Sequence, residues 1–253
     1  MFVYQRFGHT SDARRPHCVT PIAMNATILC YHKVGPLAEE GRRLNIEPIR
    51  LRSHVRFFAR RNIQFLVAGD LAGSWQDGIV CFTFDDAYDS TMVHAPGIFE
   101  EFGVRASFYA VPSLVGGRSE WDKELSRPLA DWDLLRKIQA SGHEIGNHSL
   151  THPFLAKLST DQQLVEIASS HERFLAEGLL PRSFCFPYGS YDSHTLDQLK
   201  ATGYEVGLAL GKRPARSSDN RLSLPRIVVA YSDTLPMLLY KIHLKPLLRR
   251  SIR

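Results

Sequence analysis

Two histidines and two adjacent carboxylates are the residues of this sequence best suited to metal chemistry. His148 and His152 are four residues apart, so on one helical turn both imidazoles would project from the same face. Asp85 and Asp86 directly follow residues 80–84, an apolar run with β-branched and aromatic side chains that is typical of a buried strand. Adjacent residues at a strand end point to different sides, so one carboxylate can bind a metal ion while the other stays free beside it.

Such a set of side chains could activate water. A metal ion held by two histidines and one aspartate keeps coordination positions open for water and substrate. The ion lowers the pKa of a bound water and polarises a carbonyl oxygen, and a neighbouring carboxylate can remove the proton of that water. The pattern therefore predicts metal-dependent hydrolysis, and the spacing alone leaves open which carboxylate takes which role.

The elements that position these residues alternate between strands and helices. Their turns are short and bear glycine, which favours a parallel sheet with helices outside it, and about seven such units suggest an α/β barrel whose strand ends converge on one cavity. The predicted strands are 27–31, 64–67, 79–84, 105–111, 143–146, 183–186, 204–209 and 224–229, and the predicted helices lie around 51–58 and at 90–102, 131–140, 160–177 and 193–201.

The composition is that of an ordinary globular protein. Of the 253 residues, 44% are hydrophobic and 23% charged, which excludes the disordered and fibrous classes. We find no linker that would divide the chain, and we predict one barrel domain over residues 26–253. Residues 1–25 are polar and aperiodic and are predicted to be a loosely ordered extension.

Charge and cysteine usage limit the partners and the location. The net charge of +5 fits an anionic partner, but the excess is small and nucleic acid binding is not expected. Residues 234–253 predict a basic amphipathic helix that could contact an anionic membrane peripherally, although packing on the barrel is favoured because Pro246 interrupts its apolar face. The four cysteines form no close pair and predict buried free thiols in a reducing compartment. Without a signal sequence or a spanning segment, a cytoplasmic location is expected, with a possible peripheral membrane contact.

Three motifs in order resemble those of the polysaccharide deacetylase family, also called carbohydrate esterase family 4 or the NodB homology domain. They are Phe-Thr-Phe-Asp-Asp at 82–86, His-Ser-Leu-Thr-His-Pro at 148–153 and Phe-Pro-Tyr-Gly at 186–189, and the match runs over roughly residues 27–229. The resemblance implies a distorted (β/α)7 barrel of the NodB homology type. It also implies removal of acetyl groups from N-acetylated sugars of a polysaccharide or a glycan precursor, including a lipid-linked sugar. A divalent cation is implied as well, with zinc as the expected ion.

The same resemblance assigns roles to individual residues. Asp85 becomes the general base, and Asp86, His148 and His152 become the metal ligands. The backbone N–H of Tyr188 would help to stabilise the tetrahedral oxyanion. No separate organic cofactor is implied.

The sequence departs from the family pattern at two positions. Ala87 stands where the family has glycine, which predicts a backbone that avoids positive φ there. Cys185 stands where the family has an arginine that lies against the base. Arg226 in the last predicted strand is the candidate replacement, and a surface or ion-pair role for Arg226 is the alternative.

The general acid is the remaining role. The family's late Leu-x-His motif has no good match after residue 200, whereas Cys30-Tyr31-His32 resembles the start of the poly-N-acetylglucosamine deacetylase branch, in which the motif order looks circularly permuted. His32 is therefore the candidate acid, and a packed histidine is the alternative. Trp121 and Trp132 could each line a sugar groove or pack in the interior.

Two other functions stay open on the sequence. One is a catalytically silent, glycan-binding barrel that keeps the metal but has lost turnover through Cys185 and Ala87. The other is an amidohydrolase that acts on a small amide other than a sugar. An open groove would favour a polymer, and a closed pit would favour a small molecule.

Overall fold

A computed structural model describes residues 26–73, 75 and 78–248. The predicted extension at residues 1–25 lies outside the described residues. The strands are β1 (Thr27–Tyr31), β2 (Lys33–Val34), β3 (Asn45–Ile46), β4 (Gln64–Phe65), β5 (Ile79–Phe84), β6 (Ser107–Ala110), β7 (Glu144–Asn147), β8 (Ser183–Cys185), β9 (Val206–Gly211) and β10 (Leu224–Val228). The helices are α1 (Leu37–Glu40), α2 (Pro48–Ala59), α3 (Asp89–Glu101), α4 (Trp132–Ala140), α5 (Thr160–Ala176), α6 (Ser193–Ala201), α7 (Leu235–Leu239), a π-helix (Tyr240–Leu244) and α8 (Lys245–Leu248).

Seven parallel strands close into a barrel. The strands run in the order β1, β10, β9, β8, β7, β6, β5, and β1 pairs again with β5, so that Leu29 lies opposite both Ile227 and Phe82. Strand β4 pairs with the start of β5, and β2 and β3 form a separate parallel pair. The predicted (β/α)7 barrel is confirmed.

The alternation along β5 explains how the site is aimed inward. Phe82 and Phe84 face the helical layer, where their rings lie 5.1 and 5.6 Å from that of Phe99 in α3. Cys81 instead belongs to a second apolar cluster, and Thr83 accepts a hydrogen bond from a buried side chain of β10. Because side chains alternate along a strand, the residue two positions after Thr83 also faces the barrel interior.

The opposite end of the barrel is filled by a polar network. The Glu144 carboxylate accepts hydrogen bonds from Ser107 (2.7 Å) and Ser183 (2.9 Å), and Tyr109 bonds to Ser183. Gly146 is required here because a Cβ at this position would lie 2.3 Å from Cε1 of Tyr109. These contacts satisfy the buried polar groups.

Several local predictions need correction. The predicted loop after β1 contains β2, α1 and β3, because Asn45 donates to backbone carbonyls and holds the loop in register. The predicted strand 64–67 is only two residues long in β4, and the segment between β6 and α4 contains a 3₁₀-helix, Glu120–Leu125. These pieces are too short for a periodicity to identify them.

The C-terminal segment is not one regular helix. It consists of α7, a π turn and α8, and Pro246 lies inside α8. Leu238 and Ile242 are buried in the same cluster as Leu51 and Val55 of α2. The segment therefore packs on the barrel, as the sequence favoured. No helix among the described residues is long and apolar enough to cross a membrane.

We predict an acid-sensitive contribution to stability from His54 in α2. The ring is buried and bonds through Nδ1 to the Tyr31 hydroxyl at 3.1 Å. Burial lowers the pKa of His54 to about 4, and it outweighs the opposing effect of Asp233. The unfolded chain binds more protons at this site between the two pKa values, so stability falls as the pH drops from about 6.5 to about 4.

Between pH 7 and pH 5, protonation of His54 in the unfolded chain should therefore lower the free energy of unfolding by about 2 kcal/mol. The measurement is urea unfolding followed by circular dichroism at both pH values, with His54→Gln as the control because its amide does not titrate. The wild type should lose about 2 kcal/mol more than the variant. Equal losses in the two proteins would show that His54 is not neutral in the folded state.

Candidate active site

The carboxyl ends of the barrel strands bring the predicted site residues together. His32 follows β1, and the other residues follow β5, β7 and β8 or lie within β10: Asp85, Asp86, His148, His152, Tyr188 and Arg226. Convergence at this end is expected of a parallel α/β barrel.

Three of these residues form a candidate set of metal ligands. Oδ1 of Asp86 lies 3.4 Å from Nε2 of His148 and 3.2 Å from Nε2 of His152, and all three side chains are buried. A tetrahedral site with bonds of about 2.0–2.1 Å separates its ligand atoms by about 3.3 Å, so the three atoms fit one divalent ion. Oδ1 of Asp86 is buried and has no hydrogen-bond partner, which a cation would supply.

The two imidazoles are held in the form that binds metal. Nδ1 of His148 lies 2.8 Å from the carbonyl oxygen of Cys185, so donation from Nδ1–H leaves Nε2 free as a ligand. Burial lowers the pKa of His152, which favours the neutral ring. The ring of His152 is stacked on Trp121 with centroids 4.0 Å apart, which fixes its orientation.

The histidines do not lie on a helical turn, contrary to the sequence prediction. They belong to the loop after β7, in which Ser149 and His152 have φ values of 64° and 65°. The Ser149 hydroxyl accepts a hydrogen bond from the backbone N–H of His152 at 3.1 Å and closes the loop into a tight turn. The four-residue spacing brings both rings to one ion through this turn instead of through α-helical periodicity.

Asp85 is paired with Arg226 inside the barrel. The guanidinium donates from Nη1 to Oδ1 at 2.6 Å and from Nη2 to Oδ2 at 2.8 Å, and Arg226 has 0% of its surface exposed. Burial alone would raise the pKa of Asp85, but the charge and the hydrogen bonds of Arg226 outweigh it and hold that pKa well below its usual range. Asp85 is therefore ionised. Arg226 lies against Asp85, the contact that the family resemblance gives to the arginine that Cys185 replaces.

Two cysteine thiols complete the surroundings of Asp85, a feature that the sequence analysis missed. Cys30 lies 3.4 Å from Oδ2 and Cys185 lies 3.4 Å from Oδ1, and both thiols donate to the carboxylate. Burial raises the pKa of both thiols well above its usual value, so they stay neutral. The available signal was their position, since Cys30 lies two residues before His32 and Cys185 replaces the family's arginine.

His32 lies next to Asp85. Its Nε2 is 3.9 Å from Oδ2 of Asp85, and its side chain is 16% exposed. Nδ1 of His32 is buried without a hydrogen-bond partner. His32 therefore lies near the carboxylate of Asp85 and is partly accessible to solvent.

The backbone near the two aspartates also differs from the prediction. Ala87 has φ of 51°, so it adopts the left-handed conformation that the missing glycine led us to exclude. Its N-terminal neighbour Asp86 has φ of 75°. The turn is held by the Ala87 carbonyl, which accepts a hydrogen bond from the backbone N–H of Ala130 at 3.0 Å, and Ala87 itself is buried. Surrounding contacts therefore impose the conformation on alanine.

The two tryptophans differ in position. Trp121 lies at the site, stacked on His152, and donates to the Tyr88 hydroxyl at 3.3 Å, which in turn donates to Asp122 at 2.6 Å. Trp132 packs against Phe174 in the helical layer, away from the site. Tyr188 has φ of 58° and its ring centroid lies 4.7 Å from that of His152.

The fold and the site together define a barrel hydrolase with a three-ligand metal set beside a buried carboxylate. A family model described as polysaccharide deacetylase matches residues 73–207, which is more than half of the chain. The chain belongs to this family of hydrolases, which act on carbon–nitrogen bonds other than peptide bonds. The family resemblance stated from the motifs is confirmed.

Individual relatives agree with this membership. A chitooligosaccharide deacetylase of Bradyrhizobium sp. (strain ANU 289) is 29% identical over 156 residues, which cover 60% of this chain and 60% of that protein. The chain thus spans three fifths of that relative's length.

Two solved structures share the fold. The Streptococcus pyogenes deacetylase PplD in complex with acetate has a TM-score of 0.73 at 19% identity, covering 87% of this chain and 98% of that chain. IcaB from Ammonifex degensii has a TM-score of 0.72 at 22% identity, covering 85% of this chain and 95% of that chain. These likenesses concern the fold alone.

The ligand geometry predicts that His152→Ala abolishes stoichiometric metal binding, because two remaining ligands hold a divalent ion poorly. The measurement is elemental analysis of protein dialysed after loading with zinc. His194→Ala is the matched control, since His194 is exposed at the start of α6. Full metal occupancy in the His152 variant would remove His152 from the ligand set.

Proposed function

We propose that this protein is a metal-dependent deacetylase that removes acetyl groups from N-acetylated sugars of a polysaccharide or a glycan precursor. The observation that carries the proposal is the adjacency of two differently held carboxylates: Asp86 faces two imidazole nitrogens, and Asp85 faces a buried arginine. The first carboxylate is thereby available to an ion, and the second is held ionised beside it.

Asp85 serves as the general base. The two hydrogen bonds from Arg226 fix the plane of its carboxylate, and the thiols of Cys30 and Cys185 donate from the interior side. A carboxylate with a lowered pKa is a weaker base than a free one, but it remains ionised throughout the neutral range. Its role requires a water whose proton is already acidic.

Asp86, His148 and His152 would hold the ion. A bound divalent cation would supply that acidity and polarise the acetyl carbonyl. The ligands themselves need no rearrangement, because their three donor atoms already lie at the spacing of a coordination shell. Zinc is the proposed ion, because two histidines and one carboxylate with an open position are a known donor set of catalytic zinc sites.

His32 is the proposed general acid. Cleavage of an amide expels an amine that leaves poorly until it is protonated, and histidine has a suitable pKa for this transfer. Its partly exposed ring, 3.9 Å from the base carboxylate, lies near both the proton source and the entering substrate. The backbone N–H of Tyr188, in the turn after β8, is the proposed oxyanion donor.

An N-acetylated glycan, in free or lipid-linked form, is the proposed substrate, and an exopolysaccharide is the proposed setting. Tyr188 and Phe154 are exposed at the edge of the site, which supports an open groove instead of a closed pit and so favours a sugar chain over a small amide. The name of the Bradyrhizobium relative supports the same substrate class. A silent glycan-binding barrel was considered because Cys185 replaces the arginine of the family. Arg226 pairs with Asp85 in place of that arginine, so this reason for an inactive protein is weakened.

Membrane contact and a cytoplasmic location remain proposals. In the C-terminal segment, Met237 and Leu244 are exposed and the half-buried Lys245 follows Leu244 in sequence, a mixture that suits an anionic membrane surface. Lys241 bonds to Asp233 and is not part of that surface. Co-sedimentation with anionic vesicles would test the contact.

We predict that Asp85→Asn retains the metal but loses turnover of chitooligosaccharides by about a hundredfold or more, because an amide cannot accept the water's proton. Acetate release and zinc content are measured on the same preparation. Asp197→Asn, an exposed change in α6, is the control. Wild-type rates in the Asp85 variant would exclude Asp85 as the base.

We predict that His32→Ala slows deacetylation of an amide far more than hydrolysis of an activated phenyl ester, whose leaving group needs no proton. Zinc content and the circular dichroism spectrum should be unchanged. Rates on both substrates are compared in one preparation. Equal losses would indicate a positional role for His32, and no loss on either substrate would leave the general acid unassigned.

A further inference from the structure

Two aromatic side chains form an exposed stack beside the site. Of the aromatic residues that the structure describes, only Phe154, Tyr188 and Tyr240 are exposed. The rings of Phe154 (42% exposed) and Tyr188 (43% exposed) are parallel to within 10°, with centroids 3.9 Å apart. Two parallel aromatic rings that leave more than two fifths of their surface exposed beside the site call for a reason other than stability.

The stack is continuous with the metal site. The ring of Tyr188 contacts His152 at 4.7 Å between centroids, so Tyr188 lies between the metal ligand and Phe154. Because Tyr188 covers one face of Phe154, the ammonium of Lys157, 4.4 Å from the ring centroid, lies over the other face. Lys157 is exposed, and a cation–π contact at an exposed site is weak enough for a ligand to displace.

The exposed stack is also held rigidly. Phe154 ends a loop whose Thr151 donates from its N–H and its hydroxyl to the two carboxylate oxygens of Glu166, at 2.9 and 2.6 Å. The carbonyl of Phe154 accepts a hydrogen bond from the backbone of Lys157 at 2.9 Å. On the other side, Tyr188 follows Pro187 in a tight turn that is closed by Gly189. A rigid apolar surface loses little conformational entropy when a ligand covers it.

We infer that Phe154 and Tyr188 form a sugar-binding subsite for the pyranose next to the acetylated one. This inference rests on the proposed function, and it specifies an oligosaccharide as the preferred substrate. The apolar C–H face of a pyranose matches the flat face of Phe154, as large aromatic surfaces favour such contacts. The ammonium of Lys157, once displaced from the ring, can donate to hydroxyl groups at the edge of the sugar.

The experiment compares zinc-loaded wild type and Phe154→Ala on N-acetylglucosamine, its β-1,4-linked pentamer and phenyl acetate. For the pentamer, the variant should raise KM by about three- to tenfold with kcat unchanged, because it removes one aromatic contact to a neighbouring sugar. The monomer and the ester should be hydrolysed at wild-type rates. Phe154→Trp, which keeps an aromatic face, should retain the low KM.

Leu175→Ala is the matched control, since Leu175 is a similarly exposed apolar residue (48%) at the far end of α5. An equal loss on monomer and pentamer, or no change on either, would overturn the subsite. So would a wild type with no preference for the longer substrate.

Binding separates the subsite from the chemistry. Saturation-transfer NMR of the pentamer on Asp85→Asn, with and without Phe154→Ala, reports contact in the absence of turnover. If the wild type deacetylates none of these sugars, the proposed function fails, while loss of pentamer binding in the double variant still supports the subsite. Absence of pentamer binding to Asp85→Asn would overturn it.

Discussion

The buried ion pair between Asp85 and Arg226 is the interaction on which the rest of the site depends. An arginine with no exposed surface requires a partner, because an unpaired charge in the barrel interior would cost several kcal/mol. Asp85 meets this requirement with both carboxylate oxygens. Since adjacent side chains diverge at a strand end, Asp86 turns the other way and meets the histidines. The same pair therefore positions the proposed base and, through the chain direction, the first proposed metal ligand.

A second constraint is the backbone conformation around the site. Of the seven described residues other than glycine with positive φ, five lie at the site: Asp86, Ala87, Ser149, His152 and Tyr188. Each such conformation costs on the order of 1–3 kcal/mol unless its surroundings impose it. Here hydrogen bonds such as that from His152 to Ser149 impose it. These left-handed turns follow β5, β7 and β8. They bring Asp86, His152 and Tyr188 close together at one end of the barrel.

The sequence predicts the barrel well because each of its seven strands carries its own local signal. Strand β5 is apolar except for Thr83 and is followed directly by two carboxylates, and strand and helix periods alternate from β5 to α6. The proximity of His148 and His152 was predicted from helical spacing. The two residues instead meet in a turn with positive φ, which no sequence periodicity indicates. The position of Ala87 shows the same limit, because the contacts that impose its φ come from Ala130, far along the chain.

The contacts of Asp85 with Arg226 and Cys30 could not be predicted from the sequence alone. Arg226 was one of two open interpretations, and Cys30 looked like an ordinary buried thiol. The contacts of Arg226 and Cys30 with Asp85 depend on the register between β1, β5 and β10. This register brings residues from both ends of the described chain to one carboxylate. Pattern analysis finds residues that follow strands, but it does not show which strands are neighbours.

The position of Arg226 in β10 links the ion pair to closure of the barrel. The contact joins residues 141 positions apart in sequence, and β1 closes the ring only when it lies between β5 and β10. The charge of Asp85 is therefore paired only when β10 is in place, so the same strand both closes the ring and neutralises the buried carboxylate.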